Sequence, residues 1–403
     1  MKRLLSSHSL EFSFSQGLFS LSSFLLNIVL LRGLNPAEFG AASLALSFVY
    51  FAVAFQRSLV GDMMLVFAPK VENIVVAGAK VVARFSLVAF LGMAVVWVIL
   101  PGVIPSYLPI MAGLIVLQDG LRYAVASGGK ALGLLRGDAV WLGSSILAAG
   151  VAVTGLVSIG ATIALWAVGG VLAALIQVRG IRKLRSIDVS IPDFFRVSGS
   201  LSVWNSSQFI VSNGTVQAAL TAMAIAVGTH DFAGYRAMQV ILGPLLVAVL
   251  ALSSPLLSWI TKQRARSWTA THALVAGAVL AGIAISIGFG ILAASEPLIL
   301  FISGPQYLKS APLLLPGVLA LVFVAANVPI AATFISIGKG RAFFVSSVTV
   351  TVPTSLVVVV LAFTQGIEAA AWSMVGQYAL LAVVCASVLV CVHPSSRQPV
   401  SAI

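Results

Sequence analysis

The sequence predicts an all-α, polytopic membrane protein of about twelve transmembrane helices in two pseudo-symmetric six-helix bundles. Three observations predict it. Of the 403 residues, 60% are hydrophobic and 8% charged. Apolar stretches of spanning length recur along the whole chain, and the basic residues between them are strongly sided. A soluble domain carries roughly a quarter charged residues, which excludes a soluble fold of this size. A dozen spans of ~20 residues use most of the chain and leave only connectors.

Spans are expected at 12–31, 39–56, 81–100, 107–127, 139–157, 159–178, 197–227, 237–258, 270–293, 311–335, 342–364 and 367–392. Sorted by these spans, all but three of the 23 Lys and Arg fall on one side, and the other holds Arg32, Arg236 and Lys309. Basic loops stay in the cytoplasm, so both termini and the 179–193 loop are expected there. The net charge of +12 then sets orientation, and no nucleic-acid partner is expected. Segment 58–70 is apolar but too short to span, and reads as an interfacial continuation of helix two. The N-terminal apolar stretch reads as a full span and not as a cleaved signal. Cys385 and Cys391 share the last helix at a spacing that forbids a disulfide. His8, His230, His272 and His393 are scattered, so no metal and no cofactor are expected.

The longest polar stretch, Arg179 to Asp193, divides the chain into an N-terminal bundle (1–178), a cytoplasmic linker (179–193) and a C-terminal bundle (194–403). The halves share short matches. Glu38-Phe39-Gly40 opens helix two and Phe232-Ala233-Gly234 opens helix eight; Ser127-Gly128-Gly129-Lys130 leaves helix four and Ser336-Ile337-Gly338-Lys339 leaves helix ten. Six helices per half make this a parallel repeat about an axis along the membrane normal. Short outer connectors at 101–106, near Gly155–Ile159 and at 365–367 favour packing between sequence neighbours.

Polar side chains are costly in lipid, so their placement carries information. Helix one aligns Ser13, Gln16, Ser20, Ser23 and Asn27 on one arc, and helix seven aligns Ser198, Ser202, Asn205, Gln208, Ser212 and Thr215. These are the first helices of the two halves. Two readings compete: the arcs line a hydrophilic cavity, or their small residues let helices pack closely. The amides Gln16, Asn27, Asn205 and Gln208 favour the cavity, because each needs several partners. Asp119 and Arg122 stand i,i+3 and can pair, while Asp138 beside Trp141 reads as an interface anchor. Arg32, Arg57 and Arg236 sit at helix ends, either as snorkelling anchors or as ligand contacts. Gly243-Pro244 and Val328-Pro329 mark kinks. No catalytic, zinc or phosphate-loop pattern occurs, so no enzyme activity and no catalytic residues are expected.

Several runs resemble one family. Ser15-Gln16, then Leu31-Arg32-Gly33-Leu34-Asn35-Pro36-Ala37-Glu38-Phe39-Gly40, looks like the opening of the polysaccharide-transporter (O-antigen and lipid-linked oligosaccharide) flippases. These belong to the multidrug/oligosaccharidyl-lipid/polysaccharide exporter superfamily. Leu117-Gln118-Asp119-Gly120-Leu121-Arg122-Tyr123 followed by Asp138-Ala139-Val140-Trp141 is similar to that family's helix four to five passage. Gly304-Pro305-Gln306-Tyr307 with Ala311-Pro312-Leu313-Leu314, and Gly366 with Ala369-Ala370-Ala371, resemble its segments before helices ten and twelve. The resemblance implies two bundles around a cavity lined by helices one and seven. It also implies alternating access and export of undecaprenyl-diphosphate-linked oligosaccharide, a polysaccharide or lipopolysaccharide precursor, across a bacterial inner membrane. Partners would be the lipid-linked substrate, the bilayer and membrane proteins of polysaccharide assembly. The expected substrate-binding residues are Gln16, Asn27, Arg32, Arg57, Arg122, Asn205, Gln208 and Arg236. A cation-coupled small-molecule exporter of the same superfamily is the alternative, and a membrane enzyme of polysaccharide assembly a remoter one.

The orientation is testable by thiol labelling in intact cells. Cysteines at Ser186 and Ser396 are expected to resist membrane-impermeant reagents, while cysteines at Ser106 and Gln365 label; labelling of position 186 from outside inverts the topology.

Overall fold

A computed structural model describes residues 7–68, 71, 74–99, 106–128, 131–153, 158–182, 190–251, 256, 260 and 269–392. Lys2, Arg3, the outer connector at 101–105, the linker centre at 183–189 and the tail with Arg397 lie outside the described residues. Among the described residues every regular element is helical.

α1 covers Ser7–Gly33. α2 begins at Pro36 for a local reason. Asn35 Oδ1 accepts the Glu38 backbone N–H at 2.9 Å, and Glu38 Oε2 accepts that of Asn35 at 3.3 Å. This capping box, with proline at the first helical position, fixes where the helix starts. The helix runs from Pro36 to Gln56, continues through one π turn, Arg57–Gly61, and ends with Asp62–Phe67. The expected interfacial segment is therefore an inward-packed extension: Val60, Met63 and Met64 are buried against Ile74, Val81, Val82 and Phe194. Gly78 makes room, since a Cβ there would stand 2.4 Å from Met64 Sδ.

α3 (Ile74–Ile99), α4 (Leu108–Ser127), α5 (Ala131–Val153) and α6 (Ile159–Arg182) follow. The next helical element, Ile191–Ala251, has 61 residues, about 90 Å of helix and three times the hydrocarbon thickness. Gly228 breaks it with φ +78°, a left-handed conformation open to glycine. The arm before it is α7 and the arm after it α8. α9 (Ala270–Ala293) leads through a short helix, Ser295–Ile302, and a 3-10 run, Pro305–Leu313, to α10 (Leu314–Ser336). α11 (Gly340–Gln365) and α12 (Ile367–Val392) complete the chain. Eleven helices among the described residues are long and apolar enough to cross a membrane, and the Gly228 break divides the longest into two spans.

Two compact units emerge, Met1–Asn213 and Gly214–Ile403. Within the first, α3 packs on α4, α5 on α6 and α4 on α6; within the second, α9 packs on α10, α11 on α12 and α10 on α12. The pattern repeats six helices later, which is the pseudo-symmetry the short sequence matches indicate. The division falls inside α7, beyond the linker, because the first part of that arm bonds to α2. Leu87, Val88, Leu91 and Val95 on α3, and Val275, Val279, Ile283 and Phe289 on α9, are more than half exposed. Stripes of that size suit lipid, where no hydrophobic penalty attaches. α4 is the opposite case, buried along most of its length.

Two glycines of α9, Gly277 and Gly288, let it approach α10, at Ala326 and Val318. A Cβ at Gly277 would lie 2.6 Å from the Ala326 carbonyl oxygen, whereas Gly282 on the same helix has nothing within 4 Å. Gly277→Ala is expected to lower the thermal midpoint of the detergent-solubilised protein, an overpacking cost of about 1–3 kcal/mol. Gly282→Ala is expected to be neutral or slightly stabilising, because alanine favours helix by up to about 1 kcal/mol.

Candidate functional site

The first unit encloses a network of four charges on α2, α4 and α5. Arg57, which opens the π turn, donates through Nε and Nη2 to Oδ2 and Oδ1 of Asp119 at 2.7 and 2.6 Å. The paired fork is the strongest geometry available to this ion pair. The Asp119 side chain is fully buried, and that of Arg57 is 26% exposed. Arg122, one turn along α4, is fully buried and bonded at each nitrogen. Its Nε donates to Asp138 Oδ2 at 2.9 Å, Nη1 to Gln16 Oε1 at 3.1 Å and Asp119 Oδ1 at 3.3 Å, and Nη2 to Ser15 Oγ at 3.1 Å.

Asp138 is closed in from the remaining sides. Ser15 Oγ donates to its Oδ2, and Gln118 Nε2 to its Oδ1 at 2.9 Å. Phe19 of α1 roofs the cations, its ring centroid 4.4 Å from the Arg122 guanidinium carbon and 5.8 Å from that of Arg57. Tyr123 stands 5.8 Å from Arg57 on another side. Aromatic faces attract cations, more so where water is absent. The carboxylates at positions 119 and 138 thus balance the two guanidiniums, which a low-dielectric interior demands.

The π turn meets α7 on its other flank. Ser202 Oγ donates to the Leu59 carbonyl at 2.9 Å and Asn205 Nδ2 to the Ser58 carbonyl at 3.0 Å. Asn205 also reaches Asp62 Oδ2 at 3.4 Å, and Phe209 packs 5.2 Å from Phe51, centroid to centroid. Gln56, just before the turn, is fully buried, and its amide meets no hydrogen-bond partner among the described residues. It lies on Gly120, where a Cβ would be 2.4 Å from Gln56 Nε2.

The structure gathers Gln16, Arg57 and Arg122 in one network and puts Asn205 on the same π turn. The others stand apart. Asn27, half-buried, donates to the Ser23 carbonyl at 2.8 Å and to Tyr50 Oη at 3.4 Å. Gln208 donates to Ser212 Oγ at 3.4 Å. Arg32 is exposed at the end of α1, and Arg236, in the second unit, donates to Gln239 Oε1. Ser15, Gln118 and Asp138 were not among the expected binding residues. Asp138, read from the sequence as an interface anchor, is fully buried on Arg122. Its signal was charge balance: a carboxylate inside an apolar span requires a cation, and Arg122 is the buried cation it meets.

No protein-family model matches the sequence, and no curated protein does. Solved structures do. An inward-facing multidrug resistance MATE family transporter of the MOP superfamily superposes with TM-score 0.70 at 14% identity, over 96% of this chain and 96% of that one. A MOP superfamily transporter from Pyrococcus furiosus gives 0.69 at 14% identity, over 99% and 97%. The lipid II flippase MurJ in an inward closed conformation gives 0.64 at 14% identity, over 93% and 86%. The fold is MATE-like.

The network makes a stability prediction. Asp138→Ala leaves Arg122 buried with half its compensation, and is expected to cost about 3–5 kcal/mol, read as a lower thermal midpoint and lower membrane abundance. Replacing both charges, Asp138→Leu with Arg122→Met, is expected to recover most of that loss. A double variant as unstable as the single one would show that charge balance is not what holds α4 to α5.

Proposed function

We propose that this chain is a transporter, not an enzyme, that moves an undecaprenyl-diphosphate-linked oligosaccharide across a bacterial inner membrane by alternating access, with both termini in the cytoplasm. Supporting the reading are the MATE-like fold, shared with proteins described as multidrug transporters and as a lipid II flippase, and the sided basic charge. The short runs that resemble polysaccharide flippases add to it. The observation that carries it is Arg57. Its side chain is 26% exposed, whereas those of the other three charges, Asp119, Arg122 and Asp138, are fully buried, and a carboxylate holds it by the same bidentate geometry that a phosphate offers. In this reading Asp119 keeps the fork ordered, and a diphosphate exchanges with the carboxylate.

Gln16, Asn27, Asn205 and Gln208 then serve saccharide hydroxyls, as amides that both donate and accept. Arg122 acts through Asp119, which it stabilises. Arg32 and Arg236 receive the diphosphate on the outer side. Membrane proteins of polysaccharide assembly are the partners that would supply and consume such a substrate. A second reading is favoured by one observation: Asp119 and Asp138 are carboxylates deep in the bundle, as a cation-coupled small-molecule exporter requires.

Lysine substitution separates the two. Lysine keeps the charge but loses the fork. In a strain lacking its own saccharide flippase, Arg57→Lys is expected to cut surface display about tenfold at unchanged protein level, the loss of one charge-assisted bond. Arg32→Lys and Arg236→Lys are expected to fall less. Full display in all of these variants and in Arg122→Lys would remove the diphosphate reading and leave the small-molecule exporter.

A further inference from the structure

The π turn at Arg57–Gly61 joins two contacts. A π turn holds one residue more than the regular helix around it, so it stands only where outside contacts favour it. Here the Asp62 N–H bonds to the Arg57 carbonyl, the wide ring of such a turn. On one flank Arg57 is clamped to Asp119. On the other, the Ser58 and Leu59 carbonyls take Asn205 and Ser202 from a helix 147 and 143 residues away. The turn is also pressed on α4: a Cβ at Gly61 would stand 2.9 Å from Tyr123 Cδ1.

We propose that this π turn is a two-state relay, formed only when Arg57 is on Asp119 and α7 is docked on its carbonyls. The reason is geometric. Adjacent residues carry the two contacts, and annealing or shifting a π turn re-registers the residues within it by about 100° around the helix axis. Arg57 cannot leave Asp119 by such a shift while Ser58 and Leu59 keep their carbonyls on α7. Gln56 supplies an independent observation. Its buried amide has no hydrogen-bond partner among the described residues, as expected of a group whose partners belong to the other register of the helix. The destination of the relay is α7, which runs unbroken from Ile191 to Gly228. The state of a buried ion pair is thereby passed to the helix that leads from one unit into the next. The proposal holds whichever substrate is carried.

Hydrogen exchange on the full chain in lipid nanodiscs tests it, reading peptides over 56–66 and 198–212. If the turn is a relay, its two contacts are reciprocally coupled. Asp119→Asn then speeds exchange about tenfold in 56–66 and also in 198–212, though no residue of α7 touches Asp119 in the described hydrogen bonds. The pair S202A/N205A speeds 56–66 similarly, and the triple variant is no faster than either alone. Arg57→Lys, which keeps the buried charge and hence the fold, gives the same pattern at about threefold. A disulfide between L59C and S202C, in a chain with both native cysteines replaced by alanine, holds 56–66 at wild-type exchange even with Asp119→Asn, and reduction releases it. Wild-type exchange over 198–212 in both Asp119→Asn and Arg57→Lys overturns the relay. So does simple addition of the effects in the triple variant.

Discussion

A charge inside a membrane bundle has to be neutralised by protein, and in the first unit that requirement fixes more of the architecture than any apolar contact. Arg122 alone ties α4 to α5 through Asp138 and to α1 through Ser15 and Gln16. Arg57 ties α2 to α4. Removing any one partner leaves an uncompensated ion in a medium that cannot solvate it, a penalty of several kcal/mol. α4, with both an acid and a base on adjacent turns, is the helix the others surround, and α3, with no such group in its lipid-facing half, lies outside.

The second unit repeats the helix pairing without these four charges at the matching positions. When the matching Ser127-to-Lys130 and Ser336-to-Lys339 segments are aligned, Gln118, Asp119, Arg122 and Asp138 fall opposite Asn327, Val328, Ala331 and Ser347. Ion pairs give way to small polar groups and proline. Ser347, Thr351 and Ser355 recur down α11, with Gln377 of α12 donating to Ser355 at 3.3 Å. Groups of that kind bring helices together at modest cost in lipid. The helix pairing is thus repeated, and the buried ion pairs at these positions are not.

Much of the fold was legible because lipid makes composition decisive. Spans at 270–293 and 367–392 coincide with α9 and α12, since an apolar run in a membrane has only the helix available. Harder were places where a helix does not stop. The 58–70 segment read as interfacial because it is apolar but too short to span; in its described part Asp119 holds the neighbouring Arg57 and Asn205 reaches Asp62 within the bundle. The turn between α7 and α8, expected to be several residues long, is a single glycine. The network was half legible. Asp119 and Arg122 announced themselves by spacing, but Asp138 and Ser15 pair across 123 residues, and no local period encodes that. Nor does sequence reveal a π turn, because its extra residue is stabilised from outside the helix.

The balance of the network constrains any transport cycle that uses it. With Arg57 and Arg122 on Asp119 and Asp138, the four charges cancel. A negatively charged ligand that draws Arg57 away leaves Asp119 with Arg122 alone, at 3.3 Å, and Arg122 already serves Asp138 at 2.9 Å. One cation then faces two buried carboxylates, an excess of negative charge that a low-dielectric interior penalises. Two remedies exist: a proton or small cation arrives as the ligand does, or the helices move until Asp119 meets water. Either ties ligand binding to a second event, which is the thermodynamic content of coupling. A network tolerant of losing Arg57 would bind an anion more easily and do nothing in response. One poised at neutrality cannot bind an anion without changing state.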